Sequence, residues 1–597
     1  MTSYHPPLRD LQFCLDELLD YPAHYATLSL AADLGREDVG FILGEVAKFS
    51  QEVLAPLYVS GDTEGAHCDN GRVTSPHGFA DAYRRYVDGG WPRLGNLPEH
   101  GGQPAPYSLK VAASEFMQTA NHAWCMYALL NDGAIRTLMS FASPALVKAF
   151  VPKLVSGEWM STMCLTEPQC GSDLNLVRCK AEATADGSYR ITGKIFISSG
   201  EQDFSQNIVH LVLARLQDVP VGTRGISLFV VPKRKLLTDG TAGDANAMRC
   251  LSIEHKMGLK ASATCVMAFD AAEGWLVGEP NRGLNAMFVY INKSRLGTAQ
   301  QGQAHAEGAY QTCLAYARER RAGRAPSGRV SDRDADPLLV HPDIRRMLLT
   351  QKAIAEGGRT LVLYCAQWVD RADGDDPVQR ETAERYLALL TPIAKGAVSE
   401  WGSEACDLGI QILGGHGYMK EWGVEQRVRD VRITRIYEGT TGIQALDLLG
   451  RKILGPQRET LQAFTQEILD FCAGATSNGP LRVMTAALND AVARWRAATN
   501  RIEQQSGDAN HVPAVAVDYL MLAGYVTVAW LWARAAEVAL RKLSASPDER
   551  EFYAAKVQTA QFWFERILPR IAVHEAAIAA GSGSLMGISE EGFGAGR

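Results

Sequence analysis

The apolar positions in the first quarter of the chain recur at helical spacing. The segment DVGFILGEVAKFSQEVLAPL, 38–57, places apolar residues three and four positions apart, which predicts an amphipathic helix. The loop DGGWPRLGNLPEHGGQPAP, 88–106, interrupts this region, because its glycines and prolines do not support a continuous helix. We therefore predict a helical domain over 36–158, preceded by an N-terminal extension over 1–35.

The pattern changes near residue 160. Short β-rich segments, YRITGKIFIS, NIVHLVLARL, GISLFVVP and CVMAFD, are separated by turn residues and predict a β domain over 159–280. Helical spacing then returns and predicts a helical bundle over 281–453, with a polar loop at 324–337. A break at LGPQRET precedes an extra helical domain and tail over 454–597. The order helical, β, helical, helical favours an α+β multidomain protein over a parallel α/β sheet.

Composition narrows the possible partners. A chain of 597 residues with a net charge of -7 lacks the basic surplus that phosphate neutralisation requires, so we expect no nucleic-acid partner. The 12 cysteines form no CxxC pair and no Cys/His cluster, so we expect buried reduced thiols and no metal site. Reduced thiols and a start, MTSYHPPLRD, without a signal-peptide pattern lead us to expect a cytoplasmic protein.

The most apolar run is YLMLAGYVTVAWLWA, 519–533. It is shorter than the roughly 20 residues that a membrane-spanning helix needs. A buried helix is the favoured interpretation, and peripheral membrane association is the alternative.

Three short stretches carry candidate chemistry. TRIYEGTTGIQ, 434–444, places Glu438 between an aromatic residue and a glycine. MCLTEPQCGSDL, 163–174, is a polar loop that opens the β region, and an ordinary turn is the alternative to a ligand-binding loop. In KIFISSGEQDF, 194–204, Phe196 and Ser198 share one face of a strand and could stack on a ring and bond its edge; a core Phe with a surface Ser is the alternative.

A glycine-rich run follows at 414–417. It lacks the GxGxxG spacing after a strand, and no Walker sequence occurs elsewhere, so neither a Rossmann nor a P-loop site is supported. His416 has no partner at metal-ligand spacing.

Taken together, these stretches resemble the acyl-CoA dehydrogenase family. TEPQCGSD is similar to the flavin-loop signature of that family, KIFISSG to its second flavin-binding strand, HKMGLKASATCVMAFD to its next strand pair, and QILGGHGY…RIYEGTTGIQ to its C-terminal signature. The flanking segments resemble the long branch with a C-terminal helical extension, which includes 3-(methylthio)propanoyl-CoA dehydrogenases and bacterial β-oxidation enzymes. The resemblance implies a helical domain, a barrel-like β domain, a four-helix bundle and an extra helical domain.

The resemblance also implies a reaction and a catalytic base. An acyl-CoA would lose its α-proton to Glu438 and its β-hydride to flavin N5, giving a trans-2-enoyl-CoA. Burial should raise the pKa of Glu438 toward the working pH, and its backbone N–H would meet the thioester oxygen. A helix-start carboxylate is the alternative role for Glu438. Some branches place the base just before the residue matching Arg295, but Ser294 stands there.

Further site residues follow from the resemblance. FAD would be the cofactor, bound by Thr166, Gly171, Ser172, Phe196, Ser198, Thr440 and Gln444 of one subunit and by Arg320, Gln411 and Gly415 of its neighbour. Substrate contacts would come from Ser172, Arg295, Tyr437 and Gly439, with a surface ion pair as the alternative for Arg295.

The resemblance implies partners as well. Electrons would pass to electron-transferring flavoprotein, and the extension implies a homodimer. An acyl-CoA oxidase is one alternative. A DNA-associated alkylation-response flavoprotein is another, but residues 465–597 hold 12 Lys and Arg against 14 Asp and Glu, which is unfavourable for DNA. The acyl chain length stays open.

Overall fold

The computed structural model describes residues 4–31, 33–475 and 479–595. Residues 1–3 and 32 of the predicted extension, and 476–478 and 596–597 of the predicted C-terminal domain, lie outside the described residues. The chain divides into two compact units: unit 1 comprises Met1–Gly40 and Arg295–Arg597, and unit 2 comprises Phe41–Ser294. The finer division into five segments stays a prediction.

Helices make up most of the structure. In chain order the α-helices are α1 (Leu8–Gln12), α2 (Tyr21–Tyr25), α3 (Arg36–Phe49), α4 (Leu57–Glu64), α5 (Phe79–Asp88), α6 (Tyr107–Ala128), α7 (Asn131–Phe141), α8 (Pro144–Val155), α9 (Gly283–Glu319), α10 (Pro342–Ala372), α11 (Pro377–Leu413), α12 (Val424–Val431), α13 (Thr441–Leu446), α14 (Arg458–Gly474), α15 (Pro480–Gln504), α16 (His511–Ala545), α17 (Arg550–Phe562), α18 (Ile571–Ala580), α19 (Gly583–Met586) and α20 (Glu590–Gly594). π-helical turns follow at Phe13–Leu18, Ser50–Leu54, Asp447–Ile453 and Trp563–Ile567.

Among the described residues, the strands all lie in unit 2. They are β1 (His67–Asp69), β2 (Arg72–Thr74), β3 (Trp159–Cys164), β4 (Lys180–Ala183), β5 (Tyr189–Ser198), β6 (Asn207–Arg215), β7 (Ile226–Pro232), β8 (Arg234–Leu236), β9 (Ala242–Ala245), β10 (Met248–Ile253) and β11 (Thr264–Val277). The hairpin β1–β2 falls inside 36–158, which the sequence predicted to be helical. The turn Asn70-Gly71 explains it, because both residues adopt positive φ, as a tight hairpin turn requires.

The main sheet of unit 2 has seven strands in the order β10-β11-β5-β4-β6-β3, and β7 pairs with both β11 and β6. The ring β11-β5-β4-β6-β7 therefore closes on itself, which gives the barrel-like domain that the family resemblance implied. A bulge between Phe269 and Ala272 divides the long strand β11, whose first part pairs with β10 and whose last part, Trp275–Val277, pairs with β7. The buried faces of these strands enclose an apolar core with Trp159, Leu211 and Val230.

In unit 1, helix α16 lies at the centre and packs against α10, α11, α13, α15, α17 and α18. Small residues allow the close approach: a Cβ on Gly396 would lie 2.7 Å from the Leu520 side chain, and one on Gly357 would lie 2.7 Å from Trp532. Helix α16 is long and apolar enough to cross a membrane, but 83% of its apolar window is buried. This supports the interpretation of 519–533 as a core helix. The combination of helices and a mixed sheet confirms the α+β class.

Candidate active site

The loop that carries Glu438 has an unusual backbone. Glu438 has φ +56° and Gly439 has φ +88°, so two consecutive residues lie in the left-handed region. A non-glycine residue rarely adopts this conformation, and such strain is concentrated at functional sites. The loop ends at Thr440, whose Oγ1 caps helix α13 by accepting the Ile443 N–H at 3.2 Å.

Side chains from three helices fix this loop. Gln444 Nε2 of α13 donates to the Glu438 carbonyl at 3.0 Å. Lys395 Nζ of α11 donates to the Gly439 carbonyl at 2.5 Å. The Tyr437 hydroxyl donates to Gln301 Oε1 of α9. The Glu438 carboxylate thus lies on a turn in which the backbone carbonyls of Glu438 and Gly439 both accept side-chain hydrogen bonds.

The electrostatics around Glu438 combine burial with two cations. Burial raises the pKa of Glu438 to about 7, and the charges of Arg295 and Lys395 oppose that rise. Arg295 is 8% exposed and pairs with Asp447 at 3.3 Å, so it is not a surface ion-pair arginine. Burial lowers the pKa of Lys395 to about 8, although the charge of Glu438 acts to raise it.

A second group of candidate residues lies in unit 2. The Phe196 N–H donates to the Thr166 carbonyl at 2.8 Å, which joins the loop after β3 to strand β5. Along β5, Ile195 and Ile197 are buried in the core, whereas Phe196 and Ser198 point to the opposite face and are half-buried. The aromatic ring and the hydroxyl therefore share one partly open face beside Thr166, as the sequence predicted.

The loop that carries Gly171 and Ser172 is built on a buried carboxylate. Glu167 accepts the Cys179 N–H at 2.9 Å, and its backbone N–H donates to the Cys170 carbonyl at 3.0 Å. Gly171 and Ser172 beyond this turn are exposed, and a Cβ on Gly171 would meet no atom within 4 Å. The rigid base and open tip suit a loop that receives a ligand.

A third group lies in unit 1 around a cavity of about 630 Å³. The lining residues include Arg320, Tyr316, His416 and Trp422. The rings of His416 and Trp422 stack at 4.6 Å, and the Tyr316 hydroxyl bonds His416 Nδ1 at 3.0 Å. The other two residues of this predicted group are exposed: Gln411 lies near the end of α11, and Gly415 lies in the glycine run that follows it.

The structure thus assembles the predicted residues as three groups, one in unit 2 and two in unit 1. Sequence analysis missed Lys395, Gln301 and Asp447. Lys395 could have been found, because a single cation in the apolar helical stretch LLTPIAKGAV must lie on a buried face.

Among the described residues no group of three or more His, Cys, Asp or Glu side chains is arranged to hold a metal ion.

Comparison with known proteins gives this architecture a family. Residues 281–454 match the model of the acyl-CoA dehydrogenase C-terminal domain, and residues 464–589 match that of an acetyl-CoA dehydrogenase C-terminal-like domain. The chain is 41% identical to the 3-methylmercaptopropionyl-CoA dehydrogenase of Ruegeria pomeroyi over 98% of this chain and 99% of that protein. It is 34% identical to a broad-specificity linear acyl-CoA dehydrogenase of Mycobacterium tuberculosis over 99% of this chain and 100% of that protein.

Solved structures support the fold. An acyl-CoA dehydrogenase of Bacillus anthracis complexed with FAD superimposes with a TM-score of 0.71, at 19% identity over 95% of this chain and 91% of that one. The closed sheet and the helical bundle thus have the fold of an acyl-CoA dehydrogenase. The chain belongs to the acyl-CoA dehydrogenase family, whose members depend on FAD.

Proposed function

We propose that this acyl-CoA dehydrogenase converts an acyl-CoA thioester to the trans-2-enoyl-CoA, with Glu438 as the catalytic base. The α C–H bond breaks and its proton passes to the Glu438 carboxylate. The β C–H bond breaks with its electron pair leaving as hydride, and a C=C double bond forms between the two carbons. FAD, when bound, supplies the hydride acceptor.

The observation that carries this proposal is the state of Glu438. A carboxylate with a pKa of about 7 is a stronger base than an exposed one and is still largely ionised at slightly alkaline pH. Its own backbone N–H donates to no described residue, so it is available to the thioester oxygen on which charge develops. One residue would therefore serve as base and as oxyanion donor.

The residues of unit 2 fit a flavin. The half-buried face with Phe196 and Ser198 offers a ring for packing and a hydroxyl for the edge of a heterocycle, and Thr166 adds a hydroxyl beside it. The exposed Gly171-Ser172 tip would lie along the cofactor. We propose that these five residues hold the FAD of their own subunit.

The Arg320 cavity supports a shared cofactor. It holds a guanidinium suited to a pyrophosphate and stacked rings suited to an adenine, yet it shares no residue with the Glu438 loop. We propose that Arg320, Gln411 and Gly415 bind the dinucleotide end of the FAD of a second copy. The enzyme would then be a homodimer, and a larger or smaller species by light scattering would contradict this.

The acyl group and the electron acceptor complete the proposal. The names of the two relatives make 3-methylmercaptopropionyl-CoA and linear acyl-CoAs the first candidates. We propose electron-transferring flavoprotein as the acceptor; rapid oxygen consumption without it would favour an oxidase.

The decisive experiment is an anaerobic absorbance titration of the purified enzyme. The candidates are 3-methylmercaptopropionyl-CoA and saturated acyl-CoAs from butanoyl- to hexadecanoyl-CoA, with Glu438→Gln as the control. We expect one range of thioesters to bleach the flavin band of the wild type and none to bleach the variant. An unbleached wild type would contradict the reaction, and a bleached variant would contradict the base.

A further inference from the structure

Lys395 is completely buried, at 0% exposure, within helix α11. A buried ammonium normally requires a carboxylate partner, because removing a charge from water is energetically costly. Within the part of the chain that the structure describes, the only hydrogen bond of the Lys395 ammonium goes to the Gly439 carbonyl. A bond to one neutral carbonyl offsets only part of the cost of burying the ammonium. Another interaction must therefore explain why Lys395 is buried here.

The charged groups around Lys395 indicate that interaction. The charges of Glu438 and of Glu400 of α11 act to raise the pKa of Lys395, and that of Arg295 of α9 acts to lower it. Arg295 is already paired with Asp447. Glu400 is paired with Arg435 at 2.5 Å and accepts the Thr441 hydroxyl at 2.6 Å. Glu438 is therefore the carboxylate left to balance Lys395.

We propose that Lys395 is a positioning residue for the catalytic base: it holds the left-handed Glu438-Gly439 turn through the Gly439 carbonyl and places a cation beside the Glu438 carboxylate. This inference rests on the proposed role of Glu438. The hydrogen bond fixes the direction of the carboxylate. The charge keeps the half-buried carboxylate ionised at a pH where desolvation alone would protonate it.

The test uses Lys395→Met, which keeps the length of the side chain and removes the charge and the donor, and Lys395→Gln, which keeps a neutral donor. We expect the acid limb of the kcat/KM–pH profile to move up by about one pH unit in both, since an opposite charge nearby lowers a carboxyl pKa by about that much or more. We also expect Lys395→Met to lose more of the plateau rate than Lys395→Gln, because only the latter can still bond the Gly439 carbonyl.

Lys352→Met is the matched control. Lys352 of α10 is half-buried and pairs with Glu356, and burial lowers its pKa to about 8, but the charge that acts to raise this pKa is that of Glu307 and not that of Glu438. Its loss should lower the melting temperature and leave the pH profile in place. A shift in this control as large as in Lys395→Met would mean that losing a lysine charge far from Glu438 moves the profile equally, and would overturn the proposal.

A second readout needs no catalysis. The difference in melting temperature between a protein with Glu438→Gln and the same protein with Glu438 depends on the ionisation of Glu438. Measured against pH, this difference therefore reports the pKa of Glu438. Its midpoint should lie higher by about one pH unit in the Lys395→Met background. One outcome is that flavin bleaching requires Glu438 while neither the acid limb of the kcat/KM–pH profile nor the midpoint of the melting-temperature difference moves in the Lys395→Met background. In that case the Lys395 inference fails and the proposed function stands. If Glu438→Gln still bleaches, the proposed function fails.

Discussion

Arg359 of helix α10 donates to the Glu307 carboxylate of helix α9 across 2.9 Å, and both side chains are buried. The same guanidinium pairs with Asp10 of α1, which also pairs with Lys556 of α17. Arg359 thus pairs directly with residues of α1 and α9, and Asp10 extends this ion-pair network to α17.

We expect Arg359→Met to lower the free energy of unfolding by about 3–5 kcal/mol, because it removes the guanidinium paired with the buried Glu307 carboxylate and one of the two cations paired with Asp10. Arg346→Met on the same helix is the control, since its ion pair with Asp343 is exposed and should be worth at most about 1 kcal/mol. Denaturant unfolding of both variants measures the difference. Equal losses in the free energy of unfolding would mean that the buried ion pairs of Arg359 stabilise the fold no more than the exposed pair of Arg346.

The desolvation of Glu438 should cost stability once the pH exceeds about 7. Its pKa is raised from 4.5 in the unfolded chain to about 7 in the folded state. The contribution of this group to stability is therefore fully present below pH 4.5 and is lost as the pH rises through about 7. Glu438→Gln does not ionise, so it should be the more stable protein above this range, by at most about 3 kcal/mol.

Thermal unfolding from acid to alkaline pH measures this effect. The difference between the variant and the wild type should grow between pH 4.5 and about 7 and then stay level. A difference that does not depend on pH would show that Glu438 keeps its ordinary pKa. In that case the turn would be strained, but the base would not be strengthened.

The open face of β5 should be needed for flavin binding and not for folding. Phe196→Ala removes the half-buried ring, and Lys194→Ala is the control, because Lys194 is exposed on the same face two residues earlier. We expect the first variant to be purified with far less flavin and the second with the normal amount, both with wild-type circular dichroism. Equal flavin content in both would exclude Phe196 from the cofactor site.

The sequence predicted the α+β class because the change from helical to alternating periodicity near residue 160 is strong. It also placed Phe196 and Ser198 correctly on one face, since strand geometry alone decides this. It did not predict the β1–β2 hairpin, which depends on two residues with positive φ, Asn70 and Gly71. Nor did it identify the partners of Glu438. Lys395 precedes it by 43 positions and meets its turn only after the helices have packed.

Subunit mixing tests whether Arg320 acts on the cofactor of a second copy. Arg320→Ala and Phe196→Ala should each be nearly inactive as homodimers. In a mixed dimer, one site would combine an intact Phe196 from its own subunit with an intact Arg320 from the other. The second site would carry both substitutions.

Denaturing the two variants together and refolding them should therefore restore activity to about a quarter of the wild-type level, since random pairing makes half of the dimers mixed and each has one intact site. A mixture of Phe196→Ala with Ser198→Ala is the control and should restore nothing, because both residues would serve the same subunit's site. If Arg320 instead contacted the FAD of its own subunit, the first mixture would also stay inactive. Recovery in only the first mixture would place Arg320 and Phe196 at one cofactor from opposite sides of a dimer interface.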